Sequence, residues 1–230
     1  MRGKQVIEVA KMPDGSPLEL AEEAGRFVIR AGGGALMGSG AHGSEDALAQ
    51  LGVERCSQFE DARVCIAGFG MGYTLRASLD LLKPDAKVTV VEFSDALVRW
   101  NTPPEGPLAS LAGEPILDSR VKIEMKNFVR FIRDTEETFD SLQLDLDNGP
   151  DSFTSKGNGW LYGPDGLRRL REVLRPSGRL AIWSAYSDPN FQKRMAKYGF
   201  EARSVVARER GGLVYPGKGA RHVIFVGDRD

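Results

Sequence analysis

Three carboxylates stand close together in Asp145-Leu146-Asp147-Asn148-Gly149-Pro150-Asp151, directly after the apolar run 139–144. At the end of a strand such a group attracts an amine or another cation, and one member can take the proton that an attacking nucleophile must lose. The same residues also suit a turn in which Asp and Asn side chains cap backbone groups. Asp145, which closes the apolar run, is the leading candidate base, with Asp147 next and Asp151 behind it. A second unit lies upstream. Arg63-Val64-Cys65-Ile66-Ala67 breaks into a Gly-x-Gly-x-Gly turn at Gly68, Gly70 and Gly72 and continues as a helical pattern. Glycines let backbone approach a ligand and a helix N-terminus presents unpaired N–H groups, so the turn suits a cofactor that carries a nucleoside; tight strand–helix packing is the alternative. Twenty residues past Gly72 the run 87–91 ends in Glu92, where a carboxylate can accept hydrogen bonds from two ribose hydroxyls.

These residues need a frame that sets strand ends side by side. From Arg63 onward, strand runs at 63–67, 87–91, 121–125, 139–144 and 178–183 alternate with helical patterns at 73–82, 94–100, 128–134, 164–174 and 190–198. The alternation predicts an α/β fold with a doubly wound parallel sheet, whose ligands bind beyond the carboxyl ends of the strands. The closing runs 201–208 and 221–226, around the turn-rich 211–217, predict an antiparallel C-terminal edge. Residues 1–40 read as a small antiparallel β appendage with strands at 18–21 and 26–30, and residues 41–230 as the main domain. A helix over 44–51, capped at Ser44, leads from one into the other.

The chain has 230 residues, 41% of them hydrophobic, enough for one such domain and its appendage. A net charge of −1 offers no global attraction to nucleic acid or an anionic membrane, and neither is expected as a partner. Cys56 and Cys65 make no metal-ligand spacing, which predicts reduced thiols and no metal. Charge interrupts the N-terminal residues before a signal-peptide core can form, and no apolar run approaches membrane-spanning length. A cytoplasmic location is expected.

A dinucleotide fingerprint would place its third glycine at position 73, where this chain has Tyr73. Gly-x-Gly-x-Gly followed by an acidic second strand end resembles instead the class I S-adenosylmethionine (AdoMet) transferases. Within them, residues 15–228 resemble the spermidine synthase (polyamine aminopropyltransferase) family, whose loop reads Gly-Gly-Gly-Asp-Gly-Gly-Thr-Leu-Arg; Gly68 to Arg76 keep that frame through Thr74-Leu75-Arg76. The resemblance implies a seven-stranded Rossmann-like AdoMet-transferase sheet, AdoMet or decarboxylated AdoMet as co-substrate, a small-molecule acceptor such as an amine, and a homodimer assembled through residues 1–40. It implies a cofactor shell of Gly68, Gly70, Met71, Gly72, Glu92, Asn127, Phe128 and Asp145, with Asp145 and Asp147 as catalytic residues.

Met71 departs from the family pattern. The aspartate that it replaces holds the amine of decarboxylated AdoMet's aminopropyl arm, so its loss removes a charge-assisted partner and tilts the expectation toward methyl transfer. Aminopropyl transfer is the alternative, and a non-catalytic protein that binds a nucleoside or polyamine is the second. Asn127 stands where the family has an acidic residue for the adenine amino group, a bond that an amide oxygen can accept. Phe128 is either an adenine contact or the first core residue of its helix. Trp160 and Tyr162 fall in the place of the family's substrate-gating loop, as substrate contacts or as anchors. His42 and Glu45 fall near the family's Tyr-His-Glu segment beside the cofactor, although lone histidines such as His42 and His222 are more often structural.

Overall fold

The structure is a computed structural model that describes residues 3–146, 158–214 and 217–230. Strands β1 (Gln5–Lys11), β2 (Pro17–Glu23), β3 (Arg26–Ala31) and β4 (Gly34–Gly38) form an antiparallel sheet in that order. The two strands not expected from the sequence, β1 and β4, are the edges of this sheet. As edges they leave apolar residues uncovered, and Val6, Ile7, Val9 and Leu36 are exposed on them.

Helix α1 (Gly43–Val53) leads into the main sheet. It begins one residue earlier than expected: His42 is the N-cap residue, and Ser44 lies inside the first turn, donating its hydroxyl to Glu45 Oε2 at 2.6 Å. Gly43 packs so closely on the 208–212 backbone that a Cβ would come within 2.6 Å of the Gly212 amide nitrogen. The parallel strands are β5 (Arg63–Ala67), β6 (Lys87–Glu92), β7 (Val121–Met125), β8 (Phe139–Leu144) and β9 (Leu174–Ser184). The hairpin β10 (Glu201–Arg210) and β11 (Lys218–Asp228) completes the order β10-β11-β9-β8-β5-β6-β7, with β11 antiparallel to both neighbours. β8 is buried along its whole length, as a central strand covered on both faces must be. β9 starts at Leu174, directly after its helix, and is longer than the run 178–183 alone predicts.

Among the described residues six helices cover the sheet: α1, α2 (Tyr73–Leu81), α3 (Asp95–Trp100), α4 (Phe128–Asp134), α5 (Pro164–Val173) and α6 (Pro189–Lys197). Ser94, Asn127 and Asp188 cap α3, α4 and α6 through side-chain oxygens. Cys56 and Cys65 are free thiols in the core. No helix among the described residues is long and apolar enough to cross a membrane.

The chain leaves β5 toward β6 on one side, while β8 returns on the other. The crevice of this doubly wound sheet therefore opens between the ends of β5 and β8. One side of the crevice is braced by the appendage. Leu18, Leu20 and Ile29 pack with Met71, Leu97 and Trp100 in one cluster, and Glu8 of β1 accepts hydrogen bonds from Arg99 (2.7 and 3.0 Å) and Trp100 Nε1 (2.8 Å). Met71 is fully buried there. Met71→Ala is expected to cost about 2–5 kcal/mol of stability in chemical denaturation, the range for truncating a buried Met. A cost under about 1 kcal/mol would show that loop and appendage are not joined through this side chain.

Candidate active site

Gly68, Gly70 and Gly72 follow β5 with φ of 90°, 54° and 81°, a left-handed backbone that only glycine adopts without strain. Gly68 has a second reason for being glycine: a Cβ would lie 2.3 Å from the Asp145 carbonyl oxygen. Met37 of β4 rests against Gly70, and Gly72 opens α2 with no side-chain cap over its first amides.

Glu92, 6% exposed, closes β6 and ties the loop to it. Its carboxylate accepts from the backbone N–H groups of Phe69 (2.8 Å), Phe93 (2.7 Å) and Ser94 (2.7 Å). Burial pushes its pKa up and these three bonds pull it back in part, leaving it raised. A carboxylate has about four acceptor positions, so one remains for a ribose hydroxyl. Beside it, Phe93 and Met125 at the ends of β6 and β7 are 40% and 47% exposed, an apolar surface of the kind a purine ring covers. Sequence reasoning missed both, although an apolar residue directly after the strand-closing Glu92 is a legible signal.

Asn127 is the N-cap of α4, and its Oδ1 accepts from the Arg130 amide at 3.1 Å; one lone pair of that oxygen is thereby engaged. Phe128, 3% exposed, packs in the core with its ring 6.3 Å from that of Phe131, the core alternative of its two readings. Met71 likewise faces apolar neighbours. Trp160 lies under the Arg133 guanidinium at 4.1 Å and Tyr162 meets Phe191 edge-on at 5.8 Å, which anchors this segment to the core. Asp147 and Asp151 lie outside the described residues.

The ends of three elements converge at Asp145. Its amide bonds to the Ala67 carbonyl at 2.9 Å, and Thr74 Oγ1, from the first turn of α2, donates to its Oδ2 at 2.8 Å. Burial first, then the Glu45 carboxylate, push the Asp145 pKa up to about 7, against a smaller opposing effect of the Thr74 bond. Glu45, in the first turn of α1, is itself raised by burial. His42 stacks on Tyr73 with centroids 4.4 Å apart and bonds through Nδ1 to Asp46 at 2.9 Å. The Tyr73 hydroxyl is pushed up by burial and by Glu45 and Asp46. His222 lies on β11 and packs against Trp183 of β9, with ring centroids 4.8 Å apart. Among the described residues no group of three or more His, Cys, Asp or Glu side chains could hold a metal ion.

No family model matches this sequence, and no curated protein matches it. Solved structures do. A spermidine synthase in complex with the transition-state analogue AdoDATO superposes with a TM-score of 0.74 at 18% identity, over 98% of this chain and 74% of that one. The spermidine synthase from Thermotoga maritima gives 0.71 at 16% identity, over 98% and 73%. The fold is spermidine synthase-like. TrmN from Thermus thermophilus is a more distant match, with a TM-score of 0.56 at 20% identity over 80% of this chain and 49% of that one. The spermidine synthase-like fold accounts for the seven-stranded sheet and for the β appendage that precedes it. Glu92→Ala should leave the Phe69, Phe93 and Ser94 amides without their acceptor and lower stability by at least about 2 kcal/mol in chemical denaturation. Unchanged stability of the variant would show that Glu92 does not tie the glycine turn to β6.

Proposed function

We propose that the protein is an AdoMet-dependent transferase that moves a methyl group to a small amine, with Asp145 as the base. The observation that carries this reading is the half-buried Asp145 carboxylate at the end of β8, bonded to Thr74 Oγ1 at 2.8 Å and raised to about 7 by desolvation and by the Glu45 carboxylate. A base works best with a pKa near the operating pH, and an ordinary aspartate is too weak to hold an amine's proton at neutrality. AdoMet supplies, when bound, a methyl carbon on a sulfonium that is already an activated electrophile. The residues present fit its nucleoside: the glycine turn for close backbone approach, Glu92 for the ribose, Phe93 and Met125 for the purine face.

The chain's own work is then alignment and proton removal. An amine arrives as an ammonium, drawn by the charge of Glu45 and Asp145, and must give up a proton before its lone pair can attack. Asp145 takes that proton on Oδ1, since Oδ2 is held by Thr74. Protonation relieves the desolvation of the carboxylate first and then the repulsion from Glu45, and both favour it. Met71 supports methyl over aminopropyl transfer, because the loop offers no carboxylate there to hold an amine-terminated arm. Aminopropyl transfer draws its support from the likeness in fold to spermidine synthases.

Asp145→Asn should lower turnover roughly 10²- to 10⁴-fold with little change in AdoMet affinity. In the unsubstituted protein the rate should rise with pH and level off above about 7, as the carboxylate loses its proton. The raised pKa also means that the folded state binds this proton more tightly than the unfolded chain. Stability therefore falls between about pH 4 and 7, and Asp145→Asn should melt higher than the parent above pH 7. Near-normal turnover of the variant across a panel of amines, with an unaltered pH profile, would make Asp145 a turn residue only.

A further inference from the structure

Trp183 and His222 carry enclosed ring nitrogens, Nε1 and Nδ1, that meet no hydrogen-bond partner among the described residues. Their place in the sheet ties them to Asp145. In the β8–β9 register Leu144 pairs with Ile182, so Asp145 and Trp183 follow as neighbours at the ends of adjacent strands, whose backbones run about 5 Å apart. Both stand on the α1 face: Ala181 and Trp183 pack with Ala47 and Leu48 of α1, and Gln143, two residues before Asp145, reaches Gly52 of the same helix. On the next strand Ile224 pairs with Trp183, which sets His222 diagonally on that face, its ring centroid 4.8 Å from that of the indole. Asp145, Trp183 and His222 thus run in a line across β8, β9 and β11 at the end where Glu45 opens α1.

An indole N–H can only donate, and an enclosed donor without an acceptor is costly unless a ligand supplies one. Burial holds the His222 imidazole below its usual pKa, with partial opposition from Glu209, so the ring is neutral near pH 7 and its Nδ1 can accept or donate. We infer that Trp183 and His222 form the specificity wall of the acceptor site, and that the acceptor is an amine bearing a hydroxyl group. The hydroxyl oxygen accepts a hydrogen bond from Trp183 Nε1–H, and the hydroxyl O–H donates one to His222 Nδ1. An unsubstituted polyamine offers only ammonium donors and leaves the indole unpaired. A carboxylate would accept the bond but is repelled by Glu45 and Asp145.

The inference rests on the transferase reading, and one set of titrations separates the two. Full-length protein is titrated by calorimetry with AdoMet, and the saturated complex then with putrescine and with hydroxyputrescine, which differ by one hydroxyl. The same pair is repeated on Trp183→Phe, which keeps the ring and removes the N–H. Hydroxyputrescine is expected to bind the parent at least about tenfold tighter, the worth of one good hydrogen bond, and Trp183→Phe to abolish that margin. AdoMet binding with equal affinity for the two diamines, or with neither bound, overturns this inference alone. So does a Trp183→Phe protein that keeps the preference. Absence of AdoMet binding overturns the transferase reading and this inference with it.

Discussion

Gly68 sits so close to the Asp145 carbonyl that its oxygen occupies the space where any side chain on Gly68 would begin. This constraint lets the ends of β5 and β8 meet. Because they meet, the glycine turn, the first turn of α2 and the acid that closes β8 share one small volume, with Thr74 bonded to Asp145 across it. Glu92 holds the other side of the turn through three amides, and the appendage holds its back through Met37 and Met71. A larger residue at position 68 would separate the strand ends and with them the two halves of the proposed chemistry.

Buried charge is distributed unequally between the two ends of the sheet. At the amino ends of the parallel strands it is neutralised. Arg179 and Asp228, both buried, bond at 2.5 and 3.0 Å, with Arg203 and Glu54 completing the network, and Asp140 accepts from Arg175 at 3.0 Å. At the carboxyl ends the half-buried Glu45 and Asp145 repel one another, opposed on Glu45 by Ser44 and His42 and on Asp145 by the Thr74 hydrogen bond. Perturbed carboxylates of this kind are common at functional sites. That asymmetry supports the proposal that the crevice is the working end.

Much of this was legible in the sequence because it is local. The strand runs, the glycine turn, Glu92 at the end of β6 and Asp145 at the end of β8 are each set by a few consecutive residues, and the helices α4 and α5 begin where their patterns do. What was not legible arises between distant segments. The resemblance sets Glu45 beside the cofactor, but its repulsion of Asp145 follows only once α1 is laid over β8. Met71 is read from the loop frame as a neighbour of the cofactor, yet its surroundings are supplied by strands some 40 to 50 residues earlier, which place it in an apolar cluster. Trp183 and His222 become a pair only through the β9–β11 register. Ser44 has the composition of a cap, but the contact of Gly43 with the 208–212 backbone decides where α1 starts.

The central claim is that the crevice takes AdoMet with its carboxylate intact and transfers the methyl group. It is tested most directly by titrating the full-length protein with AdoMet and with decarboxylated AdoMet in parallel, and by weighing the amine products formed from each. AdoMet should bind at least about tenfold more tightly, and the product should carry a methyl group. Tighter binding of decarboxylated AdoMet together with an aminopropylated product would contradict the account.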